Sequence, residues 1–241
     1  MVFKELAYAE TPLGELSLRF RTELRLGVEV YEIKLNDEFL MSSLFTVAEE
    51  ELARLGLAAV NAPEMDVVVG GLGLGYTAQA ALEHENVQSL VIVEMLEDVI
   101  KWHQQEILPL GKNLCADQRC RMVQGDFFAM LQDKGFDPDS PGRRFHAILL
   151  DIDHAPDFTL RDSNVAFYSP EGLGRLLDHL HPDGVFALWS NDPPDTGFME
   201  VLESVFPEVA AHEVRFPNPL QGGESSNTVY VAKLLSSNID L

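Results

Sequence analysis

Residues 66–94 read DVVVGGLGLGYTAQAALEHENVQSLVIVE. The run from Val67 to Val69 is β-branched and ends in glycines, which is typical of a strand buried on both faces of a parallel sheet. A helix is predicted from about Thr77, and a second buried strand is predicted from Leu90 to Val93, ending on Glu94. The loop between the first strand and the helix contains glycines that allow a sharp turn and bring main-chain N–H groups close to a ligand: Gly70, Gly71, Gly73 and Gly75.

The spacing between this loop and the following acid predicts the class of ligand. Glu94 comes 19 positions after Gly75, close to the offset of roughly 20 residues at which an acidic side chain accepts hydrogen bonds from a ribose. We therefore expect a nucleoside site. Gly73, Gly75 and Ala78 also satisfy the dinucleotide pattern G-x-G-x-x-G/A. This stretch alone does not identify the nucleoside. A turn that needs glycine only for packing remains an alternative.

The composition is that of an ordinary folded protein. The 241 residues are 46% hydrophobic and 23% charged, which suits one large α/β domain or one domain with a small appendage. No apolar run approaches the ~18 residues of a membrane span, and residues 1–10 lack a signal-peptide core. Cys115 and Cys120 are the only cysteines, which favours a reducing compartment over a disulfide framework. We expect a cytoplasmic protein.

The charge balance limits the expected partners. The chain has 17 Lys and Arg against 39 Asp and Glu, a formal net charge of −22. Such a field repels phosphate backbones and anionic lipid surfaces, so neither a nucleic acid nor a membrane is an expected partner. A cationic small molecule would be attracted, although the same charge also serves solubility alone.

The first 45 residues read as strands and the next as a helix. Glu15 to Arg21 and Val28 to Leu35 alternate with period two, which predicts a small antiparallel β region over residues 1–45. Thr46 followed by Glu49 has capping-box spacing and opens a helix. We expect residues 46–241 to form the ligand-binding α/β domain.

The rest of the chain alternates strands and helices. We expect an α/β fold with a seven-stranded, mostly parallel, doubly wound sheet and an antiparallel edge. A dinucleotide enzyme usually has a further catalytic domain or a Tyr-x-x-x-Lys pair, and neither fits this chain. The polar stretch from Ala155 to Tyr168 has the length of a lid. The predicted elements are a helix over 96–108, a strand over 121–124, a loop over 133–144, a strand over 146–150, a helix over 169–180, a strand over 185–190, a helix over 196–206 and strands over 209–216 and 228–234.

Together these segments resemble the class I S-adenosylmethionine-dependent methyltransferase fold, with its Rossmann-like sheet, and within it the spermidine-synthase-like (polyamine aminopropyltransferase-like) branch. The matching motifs are GGLGLGY, VIVEMLEDVI, QGDFFAML and AILLDIDHAP. The resemblance implies S-adenosylmethionine, or its decarboxylated form, as the cofactor. It implies that Gly71, Gly73 and Gly75 cradle the methionine end, that Glu94 binds the ribose hydroxyls, and that Asp126 holds the adenine amine. The chemistry agrees, since carboxylates accept from hydroxyl and amine donors.

The chain departs from this family's pattern at three places. Spermidine synthases carry an Asp inside the glycine loop that holds the amine of the decarboxylated cofactor, and Leu74 stands at the matching position. Their catalytic Asp, three places after the Asp that ends the fourth strand, matches His154. In the N-terminal helix, Ala48 and Glu49 replace the first two residues of a Tyr-His-Glu segment, while Glu50 is kept. These departures put aminopropyl transfer to putrescine in doubt but leave the cofactor pocket intact.

The ends of the fourth and fifth strands are the expected catalytic region, since open α/β sheets bind ligands there. The candidate catalytic residues are Asp151, Asp153 and His154; Asp153 or His154 could remove a proton from an acceptor amine or hydroxyl. With Asn191 and Asp192, Asp151 also has the hard oxygen ligands of a magnesium site. We expect no metal in the site, and simple capping of strand ends remains a further alternative.

The sequence therefore favours methyl transfer from S-adenosylmethionine to a small cationic or neutral acceptor, possibly an amine. The first alternative is aminopropyl transfer from the decarboxylated cofactor. The second belongs to another class of protein: a nucleoside-binding protein that has lost catalysis. The N-terminal strands could pair between two copies of the chain, so a homodimer is a further expectation.

Overall fold

The computed structural model describes residues 2–36 and 38–235. The ends of the two expected segments, 1–45 and 46–241, fall partly outside the described residues, as does Asp37. Within the described residues the chain forms two β-sheets. The first is antiparallel, with strands in chain order: β1 (Phe3–Thr11), β2 (Gly14–Glu23), β3 (Val28–Leu35) and β4 (Glu38–Ser42).

The second sheet has seven strands in the described part of the chain. Their order is β10, β11, β9, β8, β5, β6, β7, and the last five are parallel neighbours. The strand β11 runs antiparallel to both β9 and β10, which confirms the predicted mostly parallel sheet with an antiparallel edge. The strands are β5 (Met65–Gly70), β6 (Val87–Glu94), β7 (Cys120–Gln124), β8 (Phe145–Leu150), β9 (Leu180–Ser190), β10 (Glu208–Pro217) and β11 (Glu224–Lys233).

Helices cover both faces of the seven-stranded sheet, as a doubly wound fold requires. Successive side chains of β5 point to opposite faces of the sheet. Val67 and Val69 pack in one apolar cluster with α1, α2 and α3, whereas Val68 packs in a second cluster with α5, α6 and α7. Each face of the strand is therefore buried. The α-helices are α1 (Val47–Ala58), α2 (Tyr76–Leu82), α3 (Glu97–Gln104), α4 (Gly111–Ala116), α5 (Phe127–Gln132), α6 (Pro170–Gly174) and α7 (Thr196–Glu203).

The N-terminal sheet shares its core with the larger sheet. Leu16, Leu18 and Ile33 belong to the same apolar cluster as Leu52 of α1 and Val67 of β5. This packing places β4 and the end of β3 against the carboxyl ends of the parallel strands, where they become one wall of a cavity.

Several predicted elements are wrong in their extent. The helix predicted over 96–108 ends at Gln104, because Glu106 adopts a left-handed backbone (φ +56°) and the chain then enters α4. The helix predicted over 169–180 ends at Gly174 and continues as a 3₁₀ turn, and Leu180 already belongs to β9. The edge strands β1 and β4 lie inside the β region predicted over residues 1–45, although no separate bounds were predicted for them.

The capping box predicted from Thr46 and Glu49 is also wrong. Thr46 is the N-terminal flanking residue of α1, but its side chain caps no backbone N–H. Its hydroxyl donates to Glu50 Oε1 at 3.0 Å, which leaves the Glu49 carboxylate free to turn towards the cavity.

No helix in the ranges 2–36 and 38–235 has both the length and the apolar character that crossing a bilayer demands.

Candidate active site

A cavity of about 1050 Å³ opens at the carboxyl ends of the parallel strands. The N-terminal sheet forms one wall, and the segment that follows β8 forms another. Such a crevice beyond the ends of the strands is the usual ligand site of an open α/β sheet. Most of the candidate site residues of the sequence lie on its walls: Gly71, Gly73, Glu94, Asp126, Asp151 and His154.

The glycine loop between β5 and α2 has a left-handed backbone at three positions. φ is +93° at Gly71, +46° at Gly73 and +92° at Gly75. A side chain at Gly71 would meet the backbone carbonyl oxygen of Asp151, so the loop and the end of β8 lie in contact. Gly71 and Gly73 face the cavity, whereas Gly75 precedes the first turn of α2. Glycine is therefore needed here for both conformation and space.

Two side chains from outside the loop hold it in place. His103 Nε2 lies 2.8 Å from the carbonyl oxygen of Gly73, and since a carbonyl only accepts, this nitrogen carries the proton. Burial lowers the pKa of His103, which keeps the ring neutral. On the cavity side, the Leu74 N–H donates to the Met41 sulfur at 2.7 Å. The sequence predicted His103 only as a helix-face residue, because a spacing of 30 positions from Gly73 gives no local signal.

Glu94 lies at the end of β6 with its carboxylate under the glycine loop. Its Oε2 accepts from the Leu72 N–H at 3.0 Å and its Oε1 from the Leu96 N–H at 2.8 Å. Burial raises the pKa of Glu94, and these backbone donors oppose the rise. The N–H groups of Gly73 and Met95 also oppose the rise, and Glu94 lines the cavity, where a ligand can reach it.

Asp126 combines a capping role with exposure to the cavity. Its Oδ1 accepts from the N–H groups of Phe128 at 3.0 Å and Ala129 at 3.3 Å, the first turn of α5. Its Oδ2 pairs with Arg161 Nη1 at 2.8 Å. Arg161 belongs to the segment after β8, so this ion pair joins that segment to the α5 side of the cavity.

Asp151 and Glu49 are two carboxylates on the same wall. The Thr77 hydroxyl lies 2.7 Å from Asp151 Oδ2 and 3.2 Å from the backbone oxygen of Glu49. Burial, and the Asp151 charge nearby, raise the pKa of Glu49 to about 8. Burial raises the pKa of Asp151 to about 6, and the Thr77 bond opposes that rise.

Asp153 and His154, adjacent in sequence, face different surroundings. Asp153 is 1% exposed and is not among the described residues that line the cavity. Its carboxylate accepts from Leu160 N–H at 2.7 Å, Asn164 Nδ2 at 2.9 Å and Tyr168 Oη at 2.8 Å. It thereby holds the segment predicted as a lid.

His154 lines the cavity and directly precedes that segment. Its ring packs against Phe158 with the ring centroids 5.0 Å apart, and its backbone oxygen accepts from the Asn191 N–H at 2.7 Å. This bond places His154 beside Trp189 and Asn191 at the end of β9, which also line the cavity. The indole Nε1–H of Trp189 is buried and has no partner among the described residues, so a polar ligand atom could accept from it.

Comparison with known proteins decides the family. A model of the spermine/spermidine synthase domain matches residues 46–198, which include the glycine loop, Glu94, Asp126 and the Asp151 to His154 stretch. The chain belongs to the spermine/spermidine synthase family. It is a transferase of the S-adenosylmethionine-dependent type, which favours an enzyme over the binding protein without catalysis that the sequence left open.

Solved structures of spermidine synthases have the same fold. The spermidine synthase of Thermotoga maritima matches with a TM-score of 0.69 and 18% identity, over 95% of this chain and 72% of its own. A spermidine synthase in complex with the transition state analogue AdoDATO matches with a TM-score of 0.72 and 18% identity, over 95% and 73%. Human methyltransferase-like protein 13 in complex with SAH matches with a TM-score of 0.57 and 18% identity, over 79% and 84%.

The structure shows what occupies the positions at which this family member departs from the pattern. Leu74 is 1% exposed and packs in the core, so the loop presents no acid. Glu49 and Asp151 lie instead on the cavity wall, close to the loop. The sequence did not predict a role for Glu49 in the site, because only the packing of α1 against α2 brings it to Thr77.

One group of possible metal ligands lies away from the site. Among the described residues, one group has three possible ligand atoms within 4.8 Å of one another: Asp66, His146 and His181. It lies at the starts of β5, β8 and β9, at the opposite end of the strands from the cavity. His146 Nδ1 accepts from the Asp66 N–H at 3.0 Å, and the Asp66 carboxylate is paired with Arg143 at 2.7 Å. The expectation that the active site has no metal stays a prediction.

Proposed function

We propose that the protein transfers the aminopropyl group of decarboxylated S-adenosylmethionine to a small amine. The observation that carries this proposal is the charge of the cavity wall. Its described lining has one guanidinium, Arg161, which is already paired with Asp126. Five carboxylates line the same cavity: Glu38, Glu49, Glu94, Asp126 and Asp151.

This charge favours the decarboxylated cofactor over the intact one. Decarboxylated S-adenosylmethionine has two cationic groups, a sulfonium and an ammonium, whereas the intact cofactor adds a carboxylate. No cationic side chain lies near the glycine loop among the residues that the structure describes as cavity lining. A carboxylate there would meet the acids Glu49 and Asp151 without a compensating partner, which disfavours its transfer from water. A polyamine-type acceptor is attracted for the same reason.

The residues on the walls fit a nucleoside of this kind. Gly71 and Gly73 line the cavity with bare backbone, Glu94 lies on the same wall, and Asp126 lies farther along it beside Phe127 and Phe128. We assign the methionine-derived tail to the glycine loop, with Gly75 setting the turn into α2, the ribose to Glu94 and the adenine to Asp126. A spermidine synthase of the same fold binds AdoDATO, and human methyltransferase-like protein 13 binds SAH, which supports a related ligand.

His154 is the residue we assign to proton transfer. The bound nucleoside supplies an electrophilic carbon next to its sulfonium, so that a C–N bond forms as the C–S bond breaks and methylthioadenosine leaves. The acceptor ammonium must first lose one proton to expose the nitrogen lone pair. The imidazole of His154 lies on the cavity wall and can take this proton. Asp153 holds the lid segment that follows His154, and we assign it as a positioning residue. Asp151 contributes negative charge to the cavity and does not take the proton of the acceptor ammonium.

Calorimetry and a transfer assay test this proposal. Decarboxylated S-adenosylmethionine should bind at least about tenfold more tightly than the intact cofactor. Label in the aminopropyl group should appear in the product with one or more diamines. The His154→Ala substitution should lower turnover by about a hundredfold or more without weakening cofactor binding. The exposed His212→Ala variant is the matched control and should retain turnover. Failure to transfer the group to any diamine, or loss of turnover in both variants, would contradict the proposal.

Methyl transfer is the second candidate, and Leu74 is the observation that favours it. With an apolar residue at the loop position where related enzymes hold an amine, the loop itself has no acid that selects the decarboxylated cofactor over the intact one. The same calorimetry separates the two functions. Tighter binding of intact S-adenosylmethionine, together with methyl transfer to an amine or phenol, would replace aminopropyl transfer.

A further inference from the structure

Two acids from distant parts of the chain meet beside the glycine loop. Glu49 belongs to the first turn of α1, and Asp151 directly follows β8. The Thr77 hydroxyl lies within hydrogen-bond distance of both residues, 2.7 Å from the Asp151 carboxylate and 3.2 Å from the Glu49 backbone oxygen. Both acids line the cavity. In the described part of the chain neither carboxylate has a Lys or Arg within 4.0 Å.

The position of this carboxylate pair relative to the loop is fixed by close packing. Gly71 contacts the backbone oxygen of Asp151 so closely that a Cβ would not fit. The pair therefore lies at the end of the cavity that we assign to the methionine-derived tail, away from the Asp126 side. The loop itself provides no acid there, since the Leu74 side chain is buried in the core.

The closeness of the two acids affects how readily they ionise. Like charges held together in a poorly solvated place resist ionising at the same time. Burial raises the pKa of Glu49 to about 8 and that of Asp151 to about 6, and the Asp151 charge adds to the rise at Glu49, so the two carboxylates resist ionising together near neutral pH. Glu50 on α1 raises the pKa of Glu49 further, and Thr77 on α2 opposes the rise at Asp151. Burial, and the charges of Glu50 and Glu49, raise the pKa of Tyr76, which also lies on α2.

We propose that Glu49 and Asp151 together bind the terminal ammonium group of the nucleoside's aminopropyl tail. An acid on α1 and an acid after β8 thus supply the charge complement that the glycine loop lacks at Leu74. The inference rests on the proposed function, because it assigns the tail of the same ligand. It adds the residues that select an amine and reject a carboxylate at the end of that tail.

Two nucleosides that differ only in the tail amine test this assignment. The probes are 5′-(3-aminopropylthio)-5′-deoxyadenosine and 5′-propylthio-5′-deoxyadenosine, titrated into the full chain by calorimetry. The wild-type protein should bind the amine probe about tenfold or more tightly than the propyl probe. Glu49→Gln, which keeps the shape of the side chain, should reduce this preference to about twofold or less and leave the propyl probe's affinity unchanged. Glu51→Gln, on the same helix but paired with Arg54, should behave as wild type.

Proton release gives a second measurement that a purely structural role of Glu49 would not change. Titrations in buffers of different ionisation enthalpy should show that the amine probe displaces a substantial fraction of one proton from the wild-type protein near pH 7. The Glu49→Gln protein should release almost none, because Gln cannot share a proton with Asp151. Melting temperatures of the variants check that all of them are folded.

The outcomes separate this inference from the proposed function. If Glu49→Gln keeps the full preference for the amine probe, or weakens both probes equally, the ammonium assignment is wrong while the nucleoside site stands. If the substitution instead weakens binding of 1,4-diaminobutane alone and not of the amine probe, the pair binds the acceptor and the assignment is again wrong. If neither nucleoside binds the wild-type protein, the proposed function fails as well.

Discussion

Glu94 has to hold the glycine loop and face the cavity at the same time. Its carboxylate accepts from the N–H groups of Leu72 and Leu96, and its side chain is only 9% exposed. Its predicted place at the end of a strand gave no sign of this burial. The structure shows a second function, since the acid ties the loop to β6 from below.

Replacing Glu94 should therefore reduce both affinity and stability. In Glu94→Ala, two charge-assisted bonds to the ribose hydroxyls are lost, each worth roughly 1.5–3 kcal/mol, so methylthioadenosine affinity should fall by about a hundredfold or more. Two buried N–H groups also lose their acceptor, which should lower the melting temperature by several degrees. Calorimetry and thermal unfolding measure the two effects. Glu97→Ala, three positions further along and exposed in an ion pair with Lys101, is the control. Unchanged affinity in Glu94→Ala would remove the ribose assignment.

Single residues show where the sequence pattern stops being informative. The run D-I-D-H at residues 151–154 indicated a polar group at the end of a strand, and Asp151 and His154 do lie on the cavity wall. The sequence run could not show that the Asp153 side chain points away from the cavity. Beyond the last paired residue of β8, side-chain directions depend on the loop that follows. The inward turn of Glu49 was equally hidden, since Thr46 and Glu49 have the spacing of a local cap.

At the scale of elements, the buried parallel strands were the most predictable part of the fold. Apolar runs such as those of β5, β6 and β8 are buried on both faces and need no partner sequence to be recognised. The edge strand β1 mixes charged and apolar residues, and its pairing with β2 has an irregularity between Glu5 and Ala7, so period two is weak there. The end of α3 depends on tertiary packing, because Gly111 contacts the backbone of His103 too closely to allow a side chain.

The segment after β8 is an element whose order depends on one acid. Asp153 receives hydrogen bonds from a backbone N–H, an amide and a phenol within residues 160–168. The last seven of these residues form a 3₁₀ helix, Asp162–Tyr168. The Asp153 carboxylate thus holds together a connection in which residues 160–168 belong to no strand.

Asp153→Ala should loosen the segment and lower stability. Three buried donors would lose their acceptor, which should cost about 3 kcal/mol or more in the free energy of unfolding. Limited proteolysis should then cut between residues 155 and 168, where the wild-type protein resists. Turnover should fall because His154 directly precedes the same segment, while binding of methylthioadenosine should change less. Asp157→Ala, exposed in the same connection, is the control. A variant as protease-resistant as wild type would show that Asp153 does not anchor the segment.

At the scale of the whole molecule, the two sheets form one structure around the cavity. Residues of β2 and β3 share a core cluster with α1 and β5, and Met41 of β4 bonds the glycine loop. We keep the division into residues 1–45 and 46–241 as a proposal about sequence organisation. The cavity is lined by both segments, which explains why the N-terminal strands, which gave only a period-two pattern, could not be assigned a role from their residues.

The net charge of −22 attracts every cationic ligand before any contact forms. Salt weakens this long-range attraction more than the short-range attraction of the Glu49 and Asp151 carboxylates, so the salt dependence of binding distinguishes the two. Screening lengths fall from ~10 Å at 0.1 M salt to ~3 Å at 1 M. The affinity of the doubly charged decarboxylated cofactor should therefore drop by about tenfold over that range, while that of uncharged methylthioadenosine should change by less than about twofold. Glu49→Gln should lower the affinity for the cofactor at each salt concentration. The dependence of this affinity on salt should stay close to that of the wild-type protein, because one charge among many contributes little to the long-range electrostatic field. Calorimetry at three salt concentrations measures both quantities. Equal salt dependence for the charged and uncharged ligands would show that the acidic surface serves solubility alone, and that selection of a cation takes place only in the cavity.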